Sequence, residues 1–352
     1  MGRSNALAEN AIEPSLERYA RQIQFAGFGV DGQRALLRAR VVLIGVGALG
    51  SHIADSLVRA GVGHLVLADR DFIELNNLQR QALYDEDDIA RNLPKAEAAA
   101  RKLRRINSSV TVEPRVMDVN PTNIEELIAG ANLVLDGTDN FSARYLINDA
   151  CLKHSIPWVY GGVLAGYGVT MTIVPGRTPC LRCLFPEMPP PGSTPTCDVA
   201  GILGPVVKII GALEAAEALK LLSGKGSLNP GLTTIDIWDY HFDQVAVTTP
   251  VPGCPACAQG RFEFLEPSSG PQTTSLCGRN AVHVAVPGAT VSLPRLAERL
   301  RPAVGQVVGN EFMLRFVADG YEFTVFPDGR AIIKGTDDEA LAKSLYARYV
   351  GG

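Results

Sequence analysis

Short, continuous apolar runs alternate with amphipathic segments through the first half of the chain. The run at 40–44, RVVLI, is followed by a glycine-rich turn, a segment with helical spacing and a second apolar run at 64–69. Continuous β-branched runs are typical of parallel strands buried on both faces, with helices forming the crossovers. The pattern predicts a doubly wound, mostly parallel α/β sheet of the Rossmann-like type, with its ligand at the carboxyl ends of the strands.

The pattern changes after residue 163. Residues 166–176 alternate as an antiparallel strand does, and further strands are predicted at 234–240 and 244–250. The spacing of apolar and polar residues at 204–224 predicts a strongly amphipathic helix, with proline at its start and glycine past its end. We therefore expect an antiparallel part beside the parallel sheet.

The stretch 266–276 is rich in Pro, Gly, Ser and Thr, as linkers are. It divides the chain into a first domain at 1–265 and a small α+β accessory unit at 277–352. In that unit the pattern predicts strands, a helix near its start and a closing helix. The sequence does not indicate a role for it.

Composition excludes some classes of protein. The 352 residues are 46% hydrophobic and 20% charged, with a net charge of −4, so no general attraction to nucleic acid or anionic membranes is expected. No apolar run approaches the roughly 20 residues that span a bilayer, and the N-terminus lacks the apolar core of a secretory signal. The expected location is cytoplasmic.

The turn after the first strand, GVGALG, places Gly45, Gly47 and Gly50 in the G-x-G-x-x-G spacing. Glycines there bring the backbone close to phosphate oxygens, which the following helix N-terminus attracts. Asp69 ends the second strand, where an acid meets a ribose hydroxyl. The pattern predicts a nucleotide site but does not distinguish NAD from ATP.

The next segment favours a triphosphate. Asn77 and Arg80 follow the ribose-binding acid, and Lys95 begins a helix. Cations at such positions would neutralise a triphosphate and the departing pyrophosphate, whereas a nicotinamide would not require cationic side chains there. Taken singly, each is more often a solvated surface charge.

Two aspartates follow the fourth strand, in LDGTDN. Asp136 and Asp139 lie three residues apart at the predicted ligand-binding edge. Carboxylates there are suited to Mg²⁺, although one of them could simply cap the next helix. We predict Asp139 as the residue that faces the metal.

Cysteines supply the most specific single signal. Two Cys-x-x-Cys pairs can offer four thiolates to one structural Zn²⁺ and tie distant segments together. A redox dithiol is the rival interpretation, but it requires only one pair. Cys197, in a proline-rich loop before a helix, is either a nucleophile or an inert thiol. The predicted zinc ligands are Cys180, Cys183, Cys254 and Cys257.

In order along the chain, RYARQ, GVGALGS, D-x-D…NLQRQ, PK, LDGTDN, CLRC, TC…G and CPAC resemble the motifs of the ThiF/MoeB-like family, bacterial relatives of ubiquitin-activating enzymes. The resemblance covers residues 18–257. It implies a homodimeric adenylyltransferase that uses ATP and Mg²⁺ to activate the C-terminal glycine of a ubiquitin-like sulfur-carrier protein ending in Gly-Gly, for thiamine or molybdopterin synthesis or tRNA thiolation.

The resemblance also implies roles for single residues. Arg21 would reach the partner subunit's ATP, and Cys197 matches a position where some relatives bind the carrier covalently. The remaining residues carried over are Gly45 and Gly47 at the nucleotide, Asp69 at its ribose, Asn77, Arg80 and Lys95 at the phosphates, Asp139 at Mg²⁺ and the four paired cysteines at zinc.

Two hypotheses from other classes stay open on the sequence alone. An NAD-dependent oxidoreductase would share Gly45–Gly50 and Asp69, and a non-catalytic nucleotide-binding scaffold would keep the fold without turnover. The chain also ends in Gly351 and Gly352, like the carriers that such enzymes activate, although terminal glycines are common without that role.

Overall fold

The fold is known from a computed structural model, which describes residues 14–190, 197–266, 272–276, 280–286 and 289–351, with backbone only at 14, 197–198 and 272–276. Within these ranges the chain forms two sheets. The larger has eight strands: β1 (Arg40–Ile44), β2 (His64–Asp69), β3 (Thr111–Val116), β4 (Leu133–Asp136), β5 (Trp158–Leu164), β6 (Tyr167–Ile173), β7 (Leu232–Asp236) and β8 (His241–Val245).

The strand order of this sheet is β3-β2-β1-β4-β5-β6-β7-β8. The first five strands pair in parallel, and the last three pair antiparallel. The predicted α/β fold with a mostly parallel sheet is therefore confirmed. The accompanying helices are α1 (Ala20–Ile23), α2 (Gly29–Arg38), α3 (Ala48–Ala60), α4 (Glu86–Ala90), α5 (Lys95–Ile106), α6 (Ile124–Ile128), α7 (Phe141–Lys153), α8 (Leu181–Leu184), α9 (Cys197–Ala200) and α10 (Gly204–Ser223).

Helices cover both faces of the parallel strands. One apolar cluster includes buried residues of α2, α3, α5 and α10, and a second includes those of α6, α7 and α8. Because neither face of β1 or β4 meets solvent, these strands are apolar at almost every position, as their sequences predicted. No helix in the described ranges has both the length and the apolar character needed to cross a bilayer.

The helix α10 differs from its prediction. It begins with Gly204 and Pro205 and is followed by Gly224, as expected. It is not amphipathic in the predicted sense, because Glu214 and Glu217 lie on its buried side. Glu217 accepts hydrogen bonds from Thr172 Oγ1 at 2.6 Å and from the Asn229 amide at 2.8 Å.

The strand predicted at 244–250 is also displaced. The β7–β8 hairpin turns over the residues after Asp236, so that β8 pairs from His241 to Val245 and ends there. The sequence placed the strand too late, because the turn contains aromatic residues that resemble strand residues.

The smaller sheet is antiparallel, in the order β11-β12-β13-β14-β10-β9. Its β9 occupies part of the predicted linker, so the sheet begins before residue 277; the division into domains at 1–265 and 277–352 stays a prediction. The elements are β9 (Gln272–Leu276), β10 (Ala281–Ala285), α11 (Leu293–Val304), β11 (Val307–Gly309), β12 (Leu314–Ala318), β13 (Tyr321–Val325), β14 (Ala331–Lys334) and α12 (Glu339–Tyr349).

The chain closes on α12. The Gly351 amide donates to the Tyr346 carbonyl at 2.9 Å, which satisfies a carbonyl of the last helical turn. Gly351 therefore belongs to the helix end, and Gly352 lies outside the described residues.

Helices α11 and α12 pack on one face of the smaller sheet, together with Val282 and Val284 of β10. Between these two valines, His283 points to the opposite face and is 6% exposed. There it lies near Arg330 and near three charged residues that follow strands of the larger sheet, Arg70, Asp71 and Asp118. Burial, assisted by the two arginines and opposed by the two aspartates, lowers the pKa of His283 to about 4.

This histidine predicts a dependence of stability on pH. Its pKa is about 4 in the fold, against 6.5 for the ordinary side chain, so the unfolded chain binds more protons between these values. The free energy of unfolding should therefore fall as the pH drops through this window, by about 2 kcal/mol from pH 7.5 to pH 5. Urea unfolding of the wild type and His283→Gln at both pH values tests this. Equal losses in the two proteins would contradict it.

Candidate active site

The glycine turn joins β1 to α3 at the carboxyl edge of the sheet. Gly45 has φ +84°, and a Cβ on it would lie 2.6 Å from the Gly137 carbonyl oxygen, so that only glycine fits. A Cβ on Gly50 would come within 2.0 Å of the Gly45 carbonyl oxygen. At Gly47 the nearest atom to a Cβ would be Gln81 Nε2, at 3.8 Å. The turn is therefore closed on the protein side and open at Gly47, where a ligand can approach.

Asp69, at the end of β2, is fastened to this turn. Its Oδ2 accepts the Val46 amide at 2.6 Å and its Oδ1 accepts the Asp71 amide at 2.7 Å. Burial raises the pKa of Asp69, and Lys95 opposes that rise. The acid and the glycine turn are thus held in one rigid arrangement.

Lys95, the first residue of α5, is 7% exposed and lies among carboxylates. Its Nζ is 3.0 Å from Asp71 Oδ2, and its amide donates to the Asp71 carbonyl at 2.8 Å. Burial lowers the pKa of Lys95, but Asp71, Asp69 and Asp139 raise it and the net shift is upward. The structure therefore places a charged lysine beside the predicted ribose and metal ligands.

The two aspartates after β4 differ in surroundings. Asp136 is fully buried and accepts hydrogen bonds from Thr138 at 2.7 Å and from Arg144 Nε at 3.2 Å. Asp139 is exposed, at the start of the loop into α7. Asp136 shapes the loop, whereas Asp139 is accessible from solvent; its role as the residue that faces the metal stays a prediction.

Arg80 and Asn77 lie on the segment that passes the start of α3. Arg80 donates to the Asn76 carbonyl at 2.7 Å, but its buried Nε has no hydrogen-bond partner in the described chain. Such an orphaned donor is consistent with a missing ligand. Asn77 is buried and its Oδ1 accepts the Glu74 amide at 3.2 Å, which gives it a local structural role.

Arg21 lies far from the glycine turn of its own chain. Its neighbours Tyr19 and Gln22 bond to Asn107 and to the Ala60 carbonyl, at the end of α3. The turn lies at the start of this 13-residue helix, about 20 Å away. Arg21 is exposed and donates to Gln24 at 3.1 Å.

Four cysteines converge, although their pairs are 74 residues apart. Their Sγ atoms all lie within 4.8 Å of one another, with pairs at 3.5, 3.6 and 3.9 Å. A tetrahedral zinc site with Zn–S bonds of about 2.3 Å has sulfurs about 3.8 Å apart. The cluster of Cys180, Cys183, Cys254 and Cys257 therefore fits a zinc ion with all positions filled.

Cys197 begins the short helix α9, and its side chain lies outside the described residues. The next residues lead into α10. The predicted choice between a nucleophile and an inert thiol stays open.

Two features of this region were missed from the sequence. Asp71 forms the ion pair with Lys95. Its position as the second acid of the sequence DRD was the only feature that could have indicated this role. The buried hydroxyl of Tyr84 donates to the Val46 carbonyl at 2.6 Å and lies 3.2 Å from the Lys95 carbonyl oxygen. It joins the glycine turn to α5, which no local pattern could indicate.

An apolar surface lies along the β7–β8 hairpin. Trp238, Tyr240 and Phe242 are 78%, 83% and 58% exposed. Trp238 also lines a groove of about 500 Å³ with Tyr167 and Leu203, between the hairpin and the start of α10. Exposed aromatic clusters are typical of protein-binding surfaces.

Comparisons with known proteins agree with this geometry. A "Sulfur carrier protein ThiS adenylyltransferase" of Bacillus subtilis (strain 168) is 44% identical over 336 residues, covering 95% of this chain and 99% of that protein. A "SAMP-activating enzyme E1" of Haloferax volcanii is 42% identical, covering 71% and 92% respectively. A crystal structure of E. coli MccB with ATP matches with a TM-score of 0.60 and 25% identity, over 69% of this chain and 74% of that chain. Residues 19–256 match the sequence model of the ThiF family, and the chain therefore belongs to the ThiF family.

Proposed function

We propose that this protein is an ATP-dependent adenylyltransferase that activates the C-terminal glycine of a ubiquitin-like sulfur-carrier protein. The observation that carries the proposal is the charged Lys95 among Asp69, Asp71 and Asp139, beside a glycine turn that is open at Gly47. The names of the relatives, which are adenylyltransferases and activating enzymes of such carriers, support the same activity.

The residues suit this chemistry. A carboxylate becomes reactive when one of its oxygens attacks the α-phosphorus of ATP and pyrophosphate departs. Charge builds up on phosphate oxygens in this step, so the protein must supply position and positive charge rather than a strong base. Lys95 is charged and fixed by Asp71, and Arg80 has a free buried donor. Both would bind the phosphates.

Asp139 is the residue that would hold Mg²⁺. It is exposed near Lys95, and its carboxylate is a hard oxygen ligand of the type that Mg²⁺ prefers. When bound, Mg²⁺ would neutralise phosphate charge. The acidic excess around Lys95 supports a cation there.

The carrier would bind at the apolar surface of the β7–β8 hairpin. Trp238, Tyr240 and Phe242 supply aromatic area, and the adjoining groove is lined by Ala200, at the end of α9, and by Leu203, just before α10. A chain that ends in Gly-Gly has no bulky side chain at its end, so it would fit where the space beside the turn is narrow.

We also propose that two copies form a homodimer. The neighbours of Arg21 bond near the end of α3, and the glycine turn is at the start of that helix, about 20 Å away, so Arg21 would act at a nucleotide across an interface. Phe25, one turn further along, is 70% exposed and offers apolar area for such an interface.

We further propose that zinc at the four cysteines has a structural role, because no coordination position is left for water.

ATP–pyrophosphate exchange tests the function. The 352-residue chain is mixed with ATP, Mg²⁺, labelled pyrophosphate and a ThiS-type carrier ending in Gly-Gly. We expect label in ATP with the intact carrier and none with a carrier that lacks its last two glycines. ATP binding without exchange would indicate a non-catalytic scaffold, and NADH binding without ATP binding would indicate an oxidoreductase. Either result would overturn the proposal.

A further inference from the structure

The smaller sheet contacts the loop that leads into Lys95. The Asn310 side chain, at the turn before β12, donates to the Asn92 carbonyl at 3.1 Å. Arg315 of β12 donates to Asn92 Oδ1 at 3.3 Å. Both contacts join segments more than 200 residues apart, and both meet at one residue.

Asn92 has an uncommon backbone conformation. Its φ of +50° lies in the left-handed region, which Asn tolerates better than most residues but which is still less favourable than the right-handed one. The conformation turns the chain between α4 and α5, and Leu93 and Pro94, which follow, are buried. Two contacts from the smaller sheet hold this turn in place.

The smaller sheet also contacts the facing segment. Phe326, which follows β13 and is 2% exposed, stacks on Phe72 with ring centroids 5.5 Å apart. Phe72 in turn forms an antiparallel bridge with Pro94. The two sides of this bridge are therefore each fixed by residues of the smaller sheet.

The bridge is flanked by the two members of the ion pair. Asp71 precedes Phe72 and Lys95 follows Pro94, with Lys95 Nζ 3.0 Å from Asp71 Oδ2. A small shift of either side of the bridge would move Lys95 relative to Asp71, Asp69 and Asp139. Misplacement of a catalytic group by about 1 Å can lower a rate by as much as 100-fold.

We propose that Asn310 and Arg315 are positioning residues of the nucleotide site, which hold the Asn92 turn and thereby keep Lys95 at the phosphates. The small C-terminal unit then contributes to adenylation through its contacts with Asn92 and Phe72. This inference rests on the proposed function, because it assigns Lys95 to ATP.

The test compares Arg315→Met and Asn310→Ala, singly and together, with Arg348→Met. Arg348 is an exposed arginine of the same unit, paired with Asp319 at 2.7 Å, so its replacement removes the same charge away from the turn. In the pyrophosphate exchange assay we expect the double variant to raise KM for ATP roughly tenfold, with KM for the carrier nearly unchanged. Arg348→Met should behave as the wild type.

A purely structural role would lower the melting temperature and the active fraction but leave KM for ATP unaltered, which would overturn the proposal. Arg315→Lys, which keeps a donor and the charge, should restore most of the ATP affinity. Hydrogen exchange of the amides of residues 91–93 and 95 should also be faster in the double variant than in Arg348→Met.

A failure of the proposed function has a different signature. If the wild type binds ATP but shows no exchange, the adenylation is contradicted, and the ATP dissociation constants of the same variants test the positioning. If the wild type does not bind ATP at all, both are wrong. Equal ATP affinity and equal amide exchange in all variants would contradict the positioning alone.

Discussion

Replacing Lys95 with alanine is expected to lower the rate of ATP–pyrophosphate exchange by at least about 100-fold, the usual effect of removing a fixed positive group from a transition state. Lys95 is nearly buried, and the three carboxylates around it raise its pKa, so it is charged at every working pH. Without it, Asp69, Asp71 and Asp139 would repel the phosphates. The measurement is the initial rate of label incorporation at saturating carrier.

Lys102→Ala is the matched control. Lys102 belongs to the same helix and is also ion-paired, with Asp85 at 2.7 Å and with Asp88, but it lies two helical turns, about 10 Å, further along α5 than Lys95. We expect nearly full activity in this variant. If Lys95→Ala exchanged pyrophosphate as fast as Lys102→Ala, the assignment of Lys95 to the phosphates of ATP would be wrong. Melting temperatures of both variants distinguish lost chemistry from lost fold.

Replacing Cys254 with serine is expected to remove the bound zinc and to destabilise the fold by about 3 kcal/mol or more, as losses of structural metals do. The four thiolates join the segment after β6 to the segment after β8. The first of these segments is also fixed to α7, because the Leu181 amide donates to Asn148 Oδ1 at 3.0 Å. Metal analysis and thermal unfolding measure the two effects.

Cys151→Ala serves as the comparison for zinc content. Cys151 is buried in α7, and burial raises the pKa of its thiol, so it is not expected to bind metal. This variant should keep one zinc per chain, with a modest loss of stability from the cavity. If Cys254→Ser retained one zinc per chain, or if the wild type contained none, the zinc site would be contradicted.

Local patterns were sufficient wherever a few neighbouring residues decide the outcome. The apolar runs of β1 and β4 required burial on both faces, and the spacing of Gly45 and Gly50 required close backbone contact. The cysteine pairs were recognisable because tetrahedral thiolate sites use that spacing. The edge hairpin was placed less well, since an exposed edge strand carries no burial pattern to mark its ends.

Residues whose role depends on a distant partner were missed or incompletely described. Nothing beside Glu214 indicates that it is buried, and nothing beside Tyr84 indicates that it links the glycine turn to α5. Asn310 and Arg315 acquire their meaning only from Asn92. Such contacts depend on how distant elements pack together, and spacing in the chain does not encode that packing in any local pattern.

The sequence by itself determined the parallel sheet, the glycine turn at its edge and the chemical types of the groups that gather there, because periodicity and residue type are local properties. Only the tertiary structure decided that Lys95 pairs with Asp71, that Arg21 is remote from its own turn and that the C-terminal sheet contacts the loop before Lys95. These are distances between segments far apart in the chain, and they are set by packing.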